Sequence, residues 1–328
     1  MKRVLVGVIS LPVLFAIIVS LLLTLGTAKP PELLPSVTKP FATMDYSGLP
    51  PIERYRARDG ADLSFRYYPA AQKRVAVLVH GSAGSSSDMH AMAIALQAAG
   101  VTVYVPDLRG HGANYPHGDV AYTGQLDDDM TDFLRFAQPK HQDAKWSLIG
   151  FSSGGGFALR IAASPVGQSF DRFILLSPFL RYDAPTVRQT APRPGGQVGP
   201  EVQVWSKAST GRIIGLLLLG RIGIQSFDGL PVIHFAVPPG VSSLTASYSW
   251  RMQKSFQPHD DFMADIRSVS KPMQVFVGAE DQLFIPEKFK QVFGEARNDI
   301  PVTILPGLSH SDMATNPEAI QSIVMNFH

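Results

Sequence analysis

A short strand-like run, Lys145-Trp146-Ser147-Leu148-Ile149, passes through Gly150-Phe151-Ser152-Ser153-Gly154 into a helix-like stretch from Phe157 to Ala163. A strand that becomes a helix across five residues leaves little freedom at the turn. The turn is too sharp for side chains on its flanks, and glycine stands at both 150 and 154. Ser152 is then expected at strained dihedrals, its hydroxyl raised above the sheet edge. The helix that follows aims its N-terminus, the positive end of its dipole, at the place where an oxyanion would form. The pentapeptide alone arises by chance in chains of this length. It gains meaning only if an acid and a histidine follow in that order, each at the end of a strand.

The rest of the chain supplies a frame for such a turn. Ile52–Ala57 and Leu63–Tyr68 alternate around Asp59-Gly60, a hairpin signal. Arg74–Val79 (RVAVLV) is nearly all apolar, as a parallel strand buried on both faces must be. A helical pattern from Ser87 to Ala98 ends at Gly100, and Val101–Val105 is the next strand. Leu126–Phe136 reads as an amphipathic helix with an acidic outer face. Further strands are expected at Phe173–Leu176, Met273–Val277 and Val302–Leu305, with helices at Glu287–Phe293 and Pro317–Asn326. This alternation predicts an α/β fold: a mostly parallel central sheet flanked by helices, over residues 52 to 328. About residues 180–262 break the rhythm. They include the proline- and glycine-rich run Arg188–Pro200 and the apolar patch Ile213–Leu219 between Arg212 and Arg221. That patch is too short to span a bilayer, and the segment reads as an inserted cap over the site.

The N-terminal end has a different character. Met1-Lys2-Arg3 precedes Val4–Leu25, which is apolar except for Gly7, Ser10, Pro12, Ser20 and Thr24. That length suits a transmembrane helix, and the basic start predicts a cytoplasmic N-terminus with the remainder extracytoplasmic, periplasmic in a bacterium. The apolar core is longer than a signal peptide's, so residues 1–28 read as an uncleaved signal anchor. Cleavage after Gly26-Thr27-Ala28, giving a secreted protein, is the alternative. Residues 29–51 carry Pro30, Pro31, Pro35, Pro40, Pro50 and Pro51, and are expected to form an extended tether.

Composition removes several chemistries. There is no cysteine, so a thiol nucleophile, a thiolate metal site and disulfide staples are all excluded. The net charge of +2 gives no electrostatic footprint for nucleic acid. The nine histidines lack zinc-site spacing, and no cofactor motif is present; neither metal nor cofactor is expected.

What remains is nucleophilic catalysis. His80-Gly81-Ser82-Ala83-Gly84 follows the first buried strand, where an acyl-transfer enzyme of this layout places one oxyanion donor; the residue after the nucleophile gives the other. The expected donors are the amides of Ser82 and Ser153. Asp107-Leu108-Arg109-Gly110-His111-Gly112 follows the next strand and reads as structural. Met273–Gly278 leads to Glu280-Asp281, of which Asp281 is expected to face the site. His310 lies on a loop past the last strand. Ser152, Asp281 and His310 occur in one of the known triad orders.

These motifs, His80-Gly81, Asp107-x-Arg109-Gly110-His111-Gly112, Gly150-x-Ser152-x-Gly154, Gly278-x-x-Asp281 and His310, resemble the α/β-hydrolases. The resemblance is to the lysophospholipase and monoacylglycerol-lipase branch with an inserted cap, and covers about residues 52 to 328. It departs from many relatives at Phe151, where they carry histidine, and in the run Gly154-Gly155-Gly156. It implies a serine hydrolase that cleaves carboxylic esters through an acyl-enzyme. With the membrane anchor and the apolar cap, an ester or lipid-like small molecule is the expected substrate. Leu216, Leu219 and Phe235 are then candidates for an acyl-chain lining, against a plain cap core. An amidase or peptidase would use the same residues, and a non-catalytic binding protein would keep the fold.

Overall fold

A computed structural model describes residues 2–188 and 204–327, with side chains described from Leu11 onward. The first half contains α1 (Lys2–Leu25), α2 (Pro35–Ala42), β1 (Glu53–Arg56), β2 (Asp62–Tyr68), β3 (Arg74–Val79), α3 (His90–Ala98) and β4 (Thr102–Pro106). Then follow α4 (Gln125–Ala137), β5 (Lys145–Phe151), α5 (Ser153–Ala162) and β6 (Arg172–Leu176). A smaller unit holds β7 (Ser206–Ala208), α6 (Thr210–Arg221), β8 (Pro231–Phe235), β9 (Ser247–Ser249) and α7 (Trp250–Ser255). The chain closes with α8 (Phe262–Ser268), β10 (Met273–Gly278), α9 (Pro286–Ala296), β11 (Val302–Leu305), α10 (Asp312–Thr315) and α11 (Pro317–Met325).

The main sheet has the order β1-β2-β4-β3-β5-β6-β10-β11. β1 and β2 form the expected hairpin, β2 lies antiparallel to β4, and β4 through β11 run parallel. Side-chain alternation divides its two faces. Val75, Val77 and Val79 of β3 belong to one core, with Leu148, Phe157 and Phe173, whereas Ala76 and Leu78 belong to the other, with Met92, Ile149 and Phe276. Both faces are covered by helices, which is why β3 reads as a continuous apolar run. The smaller unit is a three-stranded antiparallel sheet, β7-β8-β9, with α6 beside it.

Three expectations change, and one falls largely outside the described residues. The acidic face of α4 is not simply solvated: Asp129 pairs with Arg109, Asp132 with Arg58 and Asp127 with Arg160. Residues 29–51 are not an extended tether throughout, because Pro35 opens α2 at a position where its missing N–H costs nothing. The run Arg188–Pro200 lies, beyond Arg188, outside the described residues. Finally, the N-terminal segment is a helix, yet among the described residues no helix is long and apolar enough to cross a membrane.

One face of α1 is packed. Val19 and Leu23 are buried with Leu216, Leu219 and Val232 of the smaller unit. The two backbones approach closely where α6 begins: a Cβ on Gly211 would lie 2.7 Å from the Gly26 Cα. Around this crossing the Arg212 guanidinium donates to the Leu23 carbonyl (2.9 Å), and the Ala28 amide donates to Ser209 Oγ (2.9 Å).

Candidate active site

β5 and α5 meet at Ser152, whose φ of 54° and ψ of −117° lie where L-residues are strained. Neighbouring backbone holds it there. The Ser152 N–H donates to the Leu176 carbonyl (2.8 Å), and its carbonyl accepts from Gly155, Gly156 and Phe179. A Cβ at Gly154 would run into the carbonyls of Val79 and His80, so α5 can approach β3 only with glycine there.

The structure brings Ser152, His310 and Asp281 together, although they are spread over half of the sequence. His310 Nε2 lies 3.0 Å from Ser152 Oγ, and His310 Nδ1 lies 2.8 Å from Asp281 Oδ2. All three residues are buried. The other carboxylate oxygen, Asp281 Oδ1, accepts the N–H groups of Leu283 and Phe284, each at 2.9 Å. Burial pushes the Asp281 carboxyl up, but the His310 charge, its hydrogen bond and the Phe284 N–H outweigh it and leave the group below its ordinary value. Glu280, next to it, is exposed. The imidazole stands between the rings of Phe151 and Phe284, each centred 5.0 Å away. Phe151, the departure from many relatives, thus packs directly on the histidine.

Ser82 follows β3 and Ser153 starts α5. Neither amide has a protein acceptor among the described residues, as two free donors require. The loop carrying Ser82 is held by groups that sequence reasoning missed. Trp205 Nε1 donates to Ser82 Oγ (2.9 Å), the Thr245 N–H donates to the Ala83 carbonyl (2.9 Å), and the Ala83 N–H donates to Tyr248 Oη (2.8 Å). Tyr248 in turn lies 2.6 Å from His111 Nε2. His111 Nδ1 faces the Arg109 carbonyl at 3.1 Å and must donate to it, so Nε2 accepts the phenol proton. Burial, with His80 nearby, holds the His111 pKa well below its ordinary value. The smaller unit, the segment expected to form the cap, therefore packs on the loop after β3 and fixes it. No local pattern marked Trp205 or Tyr248, because their partners are more than a hundred residues away.

The Asp107–Gly112 loop is structural, as expected. Asp107 accepts from the Ser86 N–H, the Ser64 hydroxyl and the Ala113 N–H, and Arg109 pairs with Asp129 and Asp59. Leu216 and Leu219 are a correction. Both are buried in the contact with α1, because α6 turns that face to Val19 and Leu23 instead of to Ser152. Phe235 packs on Tyr248 and Trp205 inside the cap, its ring centre 4.6 Å from that of Tyr248.

Replacing Tyr248 by phenylalanine removes one hydroxyl and leaves the Ala83 N–H and His111 Nε2 both buried without partners. The expected cost is about 1–3 kcal/mol of unfolding free energy. Chemical denaturation of the variant beside the wild type measures it, and an unchanged midpoint would refute this role for the phenol.

Comparison with known proteins agrees with this architecture. A family described as serine aminopeptidase, S33, matches residues 70–215. An uncharacterized protein of Mycobacterium tuberculosis is 26% identical over 293 residues, 85% of this chain and 81% of that protein. Among solved structures, a soluble variant of monoglyceride lipase from Saccharomyces cerevisiae aligns with a TM-score of 0.63 at 16% identity, covering 85% of this chain and 94% of the other. The monoacylglycerol lipase of Paleococcus ferrophilus aligns with a TM-score of 0.58 at 17% identity, covering 81% and 98%. At these identities the structural likeness speaks for the fold. Together with the partial family match, it gives the chain the α/β-hydrolase fold, with a resemblance to the monoacylglycerol-lipase branch.

Proposed function

We propose that this chain is a membrane-associated serine hydrolase that cleaves carboxylic esters of lipid-like molecules, of the monoacylglycerol or lysophospholipid class. The observation that carries the chemistry is the line Ser152 Oγ–His310 Nε2–Asp281, at 3.0 and 2.8 Å. Asp281, ionised, accepts the Nδ1 proton of His310, so the Nε2 lone pair faces the Ser152 hydroxyl. As Oγ attacks the ester carbonyl, its proton passes to Nε2, and the amides of Ser82 and Ser153 bind the oxyanion. The imidazolium then returns the proton to the departing alcohol, leaving an acyl group on Ser152. Water, deprotonated by His310, releases the acid by the reverse sequence.

The lipid-like substrate is supported by the lipase structures among the neighbours. For the membrane part, the reading is that the exposed apolar face of α1 rests on a membrane surface, with Lys2 and Arg3 ahead of the apolar run. The exposed side chains of Leu11, Leu14, Ile17, Ile18, Leu21 and Leu25 point the same way. A fluorophosphonate probe applied to separated membrane and soluble fractions tests both parts. A labelled band in the membrane fraction, absent in Ser152→Ala, is expected. No labelling at all would overturn the catalytic reading, and a label confined to the soluble fraction would overturn the membrane one. Turnover of long-chain monoacylglycerol and lysophospholipid should exceed that of acetate esters; the opposite order would remove the lipid class. The S33 match favours a second reading, hydrolysis of peptide amides by the same residues, which faster cleavage of aminoacyl amides than of esters would reveal.

A further inference from the structure

Resting on the serine-hydrolase reading, we infer that α2 is a positioning element for the catalytic base, acting through Gln282. The side-chain amide of Gln282 has its two ends on different parts of the chain. Its Oε1 accepts the backbone N–H of His310 (3.1 Å), and its Nε2 donates to the backbone carbonyl of Ser36 in the first turn of α2 (3.1 Å). The sequence explains why that carbonyl is available. In a helix it would accept from the N–H four residues on, and that residue is Pro40, which has none. Pro40 thus leaves an acceptor on α2 that Gln282 takes up.

A second bond runs parallel to the first. Ser311, fully buried beside the base, donates its hydroxyl to the Val37 carbonyl (2.9 Å). α2 is itself seated firmly enough to serve as a reference. Leu34 and Val37 are buried with Ala236 of the cap and pack against Trp205 and Leu283. At its far end Phe41 lies 6.1 Å from Phe151, the ring that packs on His310. One short helix therefore touches the turn carrying the nucleophile, the loop of the acid and the loop of the base.

The imidazole nitrogens are fixed by Ser152 and Asp281, but the ring can meet both only if its own backbone is in place. Gln282, the neighbour of the acid, ties that backbone to α2. Its loss should act on the chemical step and not on substrate capture.

The test uses the full chain and a short-chain p-nitrophenyl ester. Gln282→Ala is expected to lower kcat about tenfold, the worth of one well-placed hydrogen bond, with KM changed by less than about twofold. Val37→Asp, which places a carboxylate under α2 and lifts it, should lower kcat by a similar factor. The double variant should fall no further than the worse single one, because both break one connection. Wild-type kcat in Gln282→Ala would overturn the inference, as would losses that multiply in the double variant. Thermal unfolding of each variant identifies any general loss of structure. If wild-type turnover proves independent of Ser152, the serine-hydrolase reading has failed; Ser152-dependent turnover untouched by Gln282→Ala sinks the α2 inference alone.

Discussion

Ser152→Ala is expected to abolish ester turnover, with kcat falling by about 10⁴-fold or more, while the protein keeps its fold. The side chain loses a single oxygen, and that oxygen is the atom facing His310 Nε2 at 3.0 Å. None of the bonds that hold the turn belongs to the hydroxyl. They run from the Ser152 N–H to Leu176 and from Gly155, Gly156 and Phe179 to the Ser152 carbonyl, and all survive in alanine. The φ of 54° is no worse for alanine than for serine. The unfolding midpoint should accordingly stay where it is. Steady-state kinetics on p-nitrophenyl esters, with a denaturation curve for each protein, measure both quantities. Turnover within tenfold of wild type would remove Ser152 as the nucleophile.

Asp281→Asn should cost nearly as much, about 10³–10⁴-fold in kcat, and the hydrogen bonds around the carboxylate show why. Oδ1 accepts two backbone N–H groups, from Leu283 and Phe284, and only an oxygen can occupy that place. An asparagine must therefore turn its NH₂ toward His310 Nδ1. That nitrogen would become an acceptor, and the proton would move to Nε2, where it faces Ser152 and blocks proton transfer. The loss should appear in kcat at neutral pH with the fold intact, and a variant of wild-type activity would rule out the assigned tautomer. The direction of the Asp281 shift also sets a pH expectation. Because its folded-state pKa is lowered, its contribution to stability is complete above the ordinary carboxylate value and is lost only as pH falls through the lowered one. Acid inactivation by protonation of Asp281 should thus begin below the ordinary carboxylate range.

Much of the scaffold was legible because it rests on local rules. The apolar run of β3, the hairpin at Asp59-Gly60 and the glycines at 150 and 154 each answer to neighbours a few residues away. The order of Ser152, Asp281 and His310 could be read because the parallel sheet delivers the ends of its strands to one edge. The illegible parts depend on long-range contacts. Proline density in residues 29–51 suggested an extended chain, yet Pro35 and Pro40 sit in a helix whose irregular carbonyl is satisfied by Gln282. Leu216 and Leu219 have the composition of an acyl lining, and only the packing of α6 on α1 shows that they face elsewhere. Tyr248 and Trp205 are ordinary aromatic residues until the cap folds back over the loop after β3.

The crossing of Gly26 with Gly211 bears on how the site opens. A cap that swings clear of Ser82 must either carry α1 with it or shear the two helices past each other at their narrowest point. The bonds from Ser209 to Ala28 and from Arg212 to Leu23 resist the second course. Any displacement of the smaller unit is thus mechanically tied to the N-terminal helix.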